Sequence, residues 1–305
     1  MPEDLRITAT DGYALGARLY GPESRGPLIV INGATGVPQR YYARFAEWAV
    51  HRGATVITWD YRGIGASRPH RLRGFDGTMR DWGQRDFEGV LQLAATRFPG
   101  RELVLVGHSI GGQILGQAAS NARIARALTV GSQLGSWRLW PGYKKWAMAA
   151  LWHVVMPGVT HALGRFPGQL GIGQDLPRNV ALEWARWGRS DSFFLGQGVS
   201  RDGFERLRAP VLSFSLTDDD YAPRAAVDAL HALFTHASVE RRHVSPSELG
   251  TRAIGHFGFF RDQFAPTLWE AARPFLFSPT APSPLEGERV GVRGNQPSAQ
   301  GPLGG

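Results

Sequence analysis

The chain contains no cysteine. Disulfides, thiolate zinc sites and a cysteine nucleophile are thereby excluded, and any covalent chemistry must use a hydroxyl, carboxylate, amine or imidazole. Lysine is almost absent too: of 34 basic residues only Lys144 and Lys145 are lysine, the rest arginine. The arginines are scattered, with no basic helix and no nucleic-acid motif, so the net charge of +8 does not point to DNA or RNA. Anionic substrates or a membrane surface stay compatible with that charge. Long apolar runs are also missing. The longest, Trp146 to Met156, is interrupted by His153 and closed by Pro157, well short of the roughly 20 residues that a spanning helix needs. The opening MPEDLRITATDG has neither a basic nor an apolar segment, so no secretory signal is expected and the cytoplasm is the default location. There is no Gly-x-x-x-x-Gly-Lys loop, no Gly-x-Gly-x-x-Gly after a strand and no His-Glu-x-x-His. Neither a cofactor nor a metal is therefore expected.

What is present is ample for a large core: 305 residues, 43% of them apolar and 20% charged. Residues 1–277 alternate strand and helix signals. Leu5–Thr10 and Ala14–Tyr20 flank Asp11-Gly12 and read as a hairpin. Six short buried-strand runs follow: Pro27–Asn32, Ala54–Asp60, Glu102–Gly107, Ala127–Gly131, Pro210–Leu216 and Ser238–Val244. Most lack polar alternation, as strands of a parallel sheet covered on both faces do. The clearest helix is Asp81–Phe98, with weaker ones at Tyr42–Arg52, Gly112–Ser120, Arg224–Phe234 and Phe259–Leu276. The expected fold class is α/β, a mostly parallel, doubly wound sheet.

One stretch breaks the rhythm. Residues 133–208 show no convincing strand and hold six of the ten tryptophans, Trp137, Trp140, Trp146, Trp152, Trp184 and Trp187. They are expected to form a helical cap over the carboxyl edge of the sheet. Its tryptophans either make the cap's own core or line an apolar substrate pocket, with Trp137, Trp140, His153 and Trp184 as candidate lining residues. Residues 278–305 are dominated by Pro, Gly and Ser and read as a disordered tail. Within it PLEGERVGVRG is similar to a translated intergenic repeat, which implies an accidental extension.

The strongest chemical signal is Leu103-Val-Leu-Val-Gly-His-Ser-Ile-Gly-Gly112. A buried strand runs into Gly-x-Ser-x-Gly, with Gly107, Ser109 and Gly111, and then into a helix. A nucleophile at such a turn is forced outward from the sheet edge, and small residues two positions away on each side let neighbouring backbone approach.

In these residues the chain resembles the α/β-hydrolase superfamily, and the resemblance extends over nearly all of residues 5–277. Thr58-Trp-Asp-Tyr-Arg-Gly-Ile-Gly-Ala-Ser67 resembles the family's Asp-x-Arg-Gly-x-Gly-x-Ser turn, and Asn32-Gly33 stands where the family usually has His-Gly. Asn-Gly-Ala-Thr-Gly, the Trp-rich insert and Gly-His-Phe-Gly-Phe-Phe together are similar to a group of bacterial hydrolases of unassigned substrate. The resemblance implies a triad in the order Ser, acid, His. Its pattern places the acid four residues before a proline and so selects Asp219, with Asp218 and Asp220 as adjacent rivals that could instead cap the next helix. It places the base at His256, after the last strand. His243 lies one segment too early, His153 and His161 fall in the cap, and His108 points beside the nucleophile. It implies an oxyanion hole from the backbone amides of Ile110 and Ala34. Aspartate-nucleophile relatives are excluded because position 109 is serine.

The expected activity is therefore a serine hydrolase acting on an ester, thioester or amide of a small apolar acyl group, with no cofactor, metal or nucleic-acid partner. Acyl transfer on the same triad and a non-catalytic binding protein on a hydrolase fold are the alternatives. Oligomeric state is not legible.

Overall fold

The computed structural model describes residues 2–171 and 173–277. The expected tail, residues 278–305, lies outside the described residues. Eight strands form one sheet in the order β1-β2-β4-β3-β5-β6-β9-β10. They are β1 (Glu3–Thr8), β2 (Ala14–Tyr20), β3 (Leu28–Asn32), β4 (Thr55–Trp59), β5 (Leu103–His108), β6 (Arg126–Val130), β9 (Val211–Leu216) and β10 (Val239–Val244). β1 pairs antiparallel with β2, and β2 antiparallel with β4; every other pairing is parallel. Each run read as a strand is one, to within a residue or two at its ends.

The central strands β3, β4, β5, β6 and β9 are buried along their whole length. Their side chains divide between two cores. Leu103 and Leu105 of β5 enter one, and Val104 and Val106 the other. This two-sided burial is why these strands read as unbroken apolar runs.

The helices agree less closely. The helix expected at Asp81 begins at Met79, where Thr78 and Asp81 form a capping box. It continues through a π-helical segment, Trp82–Phe87, into Glu88–Arg97. The helix expected over Gly112–Ser120 is only Ile110–Gln113 followed by a 3-10 turn. There Asn121 Nδ2 takes the Leu115 carbonyl at 3.0 Å and ends the helix. Arg224–His231 is helical, whereas the last helix, Glu270–Phe277, starts later than expected and follows a π segment with Pro266 in its first turn.

Between β6 and β9 the insert is mainly helical: Lys144–Ala150, Leu151–Val155 and Met156–Leu163 run on without a break, and Arg178–Arg189 packs against them. It also contains two short strands that the sequence did not announce. β7 (Arg165–Phe166) and β8 (Leu176–Pro177) pair antiparallel as a separate ribbon. Two-residue strands are too short to carry an alternating pattern.

Candidate active site

β5 ends at His108 and the next helix starts at Ile110, so Ser109 makes the turn alone. Its φ of 54° and ψ of −116° are costly for a side chain with a Cβ. Among the described residues, Phe193 is the other non-glycine with positive φ. The turn closes because position 111 is glycine: a Cβ there would lie 2.2 Å from the Asn32 carbonyl oxygen. The Ser109 amide donates to the Val130 carbonyl, 2.9 Å away, which ties the turn to the end of β6. The Ser109 side chain has no hydrogen bond among the described residues, and the residue is 7% exposed.

Three adjacent aspartates after β9 have three different partners. Asp219 Oδ2 accepts from His256 Nδ1 at 2.7 Å. Its Oδ1 accepts the amides of Tyr221 and Ala222 at 2.9 and 3.0 Å. Asp218 Oδ2 accepts the amides of Ile254 and Gly255 at 2.8 and 3.0 Å, holding the start of the loop that carries His256. Asp220 pairs with Lys144 of the insert at 2.5 Å. None of the three caps the following helix, whose N-cap is Pro223. With Nδ1–H committed to Asp219, Nε2 of His256 is the acceptor nitrogen.

Gly131, directly after β6, lies beneath this pair. With φ +56°, it approaches so closely that a Cβ would be 3.1 Å from both Asp219 Oδ2 and His256 Nδ1. Since β5, β6 and β9 are neighbours, Ser109, Gly131 and Asp219 all follow strands that end at the carboxyl edge of the sheet, and His256 lies against Gly131 and Asp219.

His108 is fully inside this arrangement rather than merely beside the serine. Its Nε2 lies 2.9 Å from the His256 carbonyl oxygen, which can only accept, so Nε2 carries the proton. Its Nδ1 therefore accepts from the Tyr42 hydroxyl at 2.9 Å. The Tyr42 hydroxyl in turn accepts from the Ala34 amide at 2.7 Å. Burial, reinforced by His256, holds the His108 imidazole well below its ordinary pKa, and burial holds the Tyr42 phenol well above its own. Both are neutral at neutral pH, as this chain of donors requires. Tyr42 carries no local signal of this role and reads in the sequence as an ordinary core aromatic.

The two amides named for an oxyanion hole differ. Ile110 N–H, at the first position of its helix, has no acceptor among the described residues. Ala34 N–H is engaged by Tyr42. Asn32, at the family's usual His position, is a buried tie: Oδ1 accepts from Trp59 Nε1 at 3.0 Å and Nδ2 reaches the Gly111 carbonyl at 3.4 Å. Asp60 and Arg62 of the Asp-x-Arg-Gly-x-Gly-x-Ser stretch likewise hold turns, Asp60 through the amides of Gln39 and Ala66 and Arg62 through Asp86 and Asp11.

The four candidate pocket residues have contacts within the insert and with the loop after β9. Trp184 packs on Trp152, Trp137 on Trp146, and His153 is exposed. Trp140 is buried and donates to the Asp220 carbonyl at 2.9 Å, one residue from Asp219. An apolar cavity of about 610 Å³ is walled by Val37, Pro38, Arg40, Tyr41, Gly171, Gly173 and Phe257, the residue that follows His256. The Phe257 and His256 rings are 5.1 Å apart. No group of acidic, His or Cys side chains among the described residues could hold a metal ion.

Comparison with known proteins agrees with this architecture. The family model described as serine aminopeptidase, S33, matches residues 22–164, a stretch that includes Ser109 but neither Asp219 nor His256. A polyketide transferase from a Penicillium species is 31% identical over 142 residues, covering 44% of this chain and 46% of that protein. The chain spans less than half the length of the curated relatives it matches. The solved structure of DcsB with its substrate analogue superposes with a TM-score of 0.61 at 17% identity, over 90% of this chain and 98% of that one. An esterase from Exiguobacterium antarcticum superposes with a TM-score of 0.57 at 17% identity, over 89% and 100%. The mostly parallel sheet with its strained serine turn has the α/β-hydrolase fold, and residues 22–164 are similar to the serine aminopeptidase, S33, family.

Proposed function

We propose that the chain hydrolyses a carboxylic ester or thioester, or an amide, of a small apolar acyl group through an acyl-enzyme on Ser109. Ser109 Oγ attacks the carbonyl carbon as its proton passes to His256 Nε2. The protonated imidazole then gives that proton to the departing group, and a water molecule, deprotonated by the same nitrogen, releases the acid. Asp219 fixes the tautomer of His256 and stabilises the imidazolium. The observation that carries the reading is the 2.7 Å contact between Asp219 Oδ2 and His256 Nδ1, with the strained Ser109 turn across Gly131.

The Ile110 amide is one oxyanion donor in this account. Ala34 becomes the second once its amide exchanges the Tyr42 hydroxyl for the developing charge. The insert serves as the cap. Its contacts support this role: Trp140 and Lys144 on Asp220, the Gln174 amide on the Gly36 carbonyl at 2.8 Å, and Tyr221 on the Gly171 carbonyl at 3.3 Å. Under that cap, the cavity of Tyr41 and Phe257 receives the acyl chain.

The test is turnover of an ester, thioester and peptide panel by the wild type and by Ser109→Ala. Activity that disappears with the serine supports the proposal, and activity retained by Ser109→Ala removes it. Acyl transfer on the same groups is the second reading. The low exposure of Ser109, which disfavours water, supports it, as does the similarity to a polyketide transferase. Added alcohol and amine acceptors that raise total turnover while lowering acid release would favour transfer.

A further inference from the structure

The exposed large apolar side chains are not spread over the surface. Among the described residues, all but Tyr221 lie between residues 143 and 170 of the insert. Tyr143 is 78% exposed, Trp146 61%, Val154 67% and Leu163 53%, with Val155 and Leu170 beside them. From Tyr143 to Leu163 they follow the helix that starts at Lys144, with Trp146 three residues after Tyr143, Val154 eight after Trp146 and Leu163 eight after Val155, on the outward side of a helix with a π segment at its middle. The opposite face, with Trp152, Met156 and Thr160, is buried against the rest of the insert. The helix is thus apolar on both sides, one of which nothing among the described residues covers.

The charge that this segment itself carries is of one sign, and the carboxylates beside it come from elsewhere in the chain. No acidic residue occurs from position 103 to position 174. Arg138, Lys144, Lys145 and Arg165 do, and they include the only two lysines of the chain. Three of these cations pair with carboxylates from outside the stretch: Arg138 with Asp191, Lys144 with Asp220 and Arg165 with Asp175. Lys145 lies over the Trp146 ring at 5.1 Å. Tryptophan and tyrosine with lysine alongside, on an apolar helix face, match the boundary between headgroups and acyl chains. No helix among the described residues is long and apolar enough to cross a bilayer.

We propose that this face docks the protein flat on an anionic lipid surface, with Trp146, Val154 and Leu163 in the interfacial layer and Lys145 among the headgroups. A second protein would be expected to answer the cations with carboxylates. A second copy of this chain, meeting itself through the same face, would bring like charges together. Docked in this way, the lipid surface lies beside Leu170 and Gly171, at the rim of the apolar cavity. The proposal does not depend on the catalytic reading.

Flotation of the full chain with vesicles tests it, using phosphatidylcholine alone and with phosphatidylglycerol added. The expected result is partitioning onto the anionic vesicles that weakens with salt. Lys145→Gln should weaken it about fivefold, and Trp146→Ser about tenfold. Trp146 is exposed and Lys145 half-buried at the surface, so both variants should melt close to the wild type. Val154→Ser, elsewhere on the same face, provides an independent reading should Trp146→Ser fail to fold. Four results would overturn the proposal: no flotation of the wild type, equal flotation on neutral vesicles, face variants that float like the wild type, or a stable dimer in solution that Trp146→Ser dissociates.

Discussion

The Nε2–H of His108 donates to the main-chain carbonyl of His256 at 2.9 Å, so the residue before Ser109 holds the loop that carries His256. Tyr42 closes the other side of His108 and reaches the Ala34 amide. The Ser109 turn, the His256 loop and the loop after β3 are thereby joined through two buried, neutral side chains.

Removing the Tyr42 hydroxyl leaves two buried groups, Ala34 N–H and His108 Nδ1, without their partner. Each such loss costs about 1–3 kcal/mol. Tyr42→Phe should therefore lower stability by about 2–5 kcal/mol in urea unfolding. It should also reduce kcat more than it raises KM, because it disturbs the placement of His256 and not the acyl wall. Unchanged stability would show that water replaces the hydroxyl.

The aspartates should separate cleanly. Asp219→Asn keeps the shape but favours the wrong tautomer of His256, and a loss of about 10⁴ in kcat is expected. Asp218→Asn loses one acceptor oxygen for the Ile254 and Gly255 amides and should act mainly through the His256 loop, with a smaller loss of activity. Asp220→Asn breaks only an exposed pair with Lys144 and should stay near wild type. Steady-state kinetics on the three variants check this, and a larger loss at position 218 or 220 than at 219 would move the acid.

Stability at mildly acid pH should depend on His231. Burial lowers its pKa from 6.5 to about 4. Its Nδ1–H donates to the Val227 carbonyl at 2.7 Å, and Nε2 accepts from Thr129 at 2.8 Å. The folded pKa lies below the unfolded one, so the unfolded chain takes up the proton first as pH falls. The contribution is present above about pH 6.5 and is lost progressively towards pH 4, a change of about 3 kcal/mol. Asp86, pushed by burial up to about 6, acts in the opposite sense over part of that window. The informative quantity is thus the difference between wild type and His231→Asn in unfolding free energy at each pH. It should shrink on acidification, and a constant difference would contradict the assignment.

Chain-length preference should follow the Tyr41–Phe257 wall rather than the cap tryptophans. Each buried methylene is worth about 0.8 kcal/mol, so kcat/KM should rise about tenfold for every two methylenes until the cavity is full. On p-nitrophenyl esters from acetate to decanoate, Phe257→Ala should flatten that rise, while Trp184→Ala should leave it intact. A profile that is highest at acetate and falls steadily would remove the apolar wall from the account.

How much of this was legible in the sequence follows from what is local. The buried strands and the Ser109 turn carry their signal within about ten residues: an apolar run, then small residues where backbone must approach backbone. Asp219 and His256 were reachable through the family's chain order. Tyr42 was not, since its partner His108 is 66 positions away and becomes a neighbour only because the sheet order puts β3 beside β5. Gly131 was one glycine among 39. Tryptophan content marked the insert as apolar but could not say which rings face inward. Trp152 and Trp187 fill the insert's core, whereas Trp146 faces out.

The central claim is that Ser109 is the nucleophile, and labelling with a fluorophosphonate probe tests it most directly. The folded wild type should take up one probe per chain, on the peptide containing Ser109, and Ser109→Ala should take up none. Probe uptake that persists in Ser109→Ala, or its absence from folded wild type, would contradict the account.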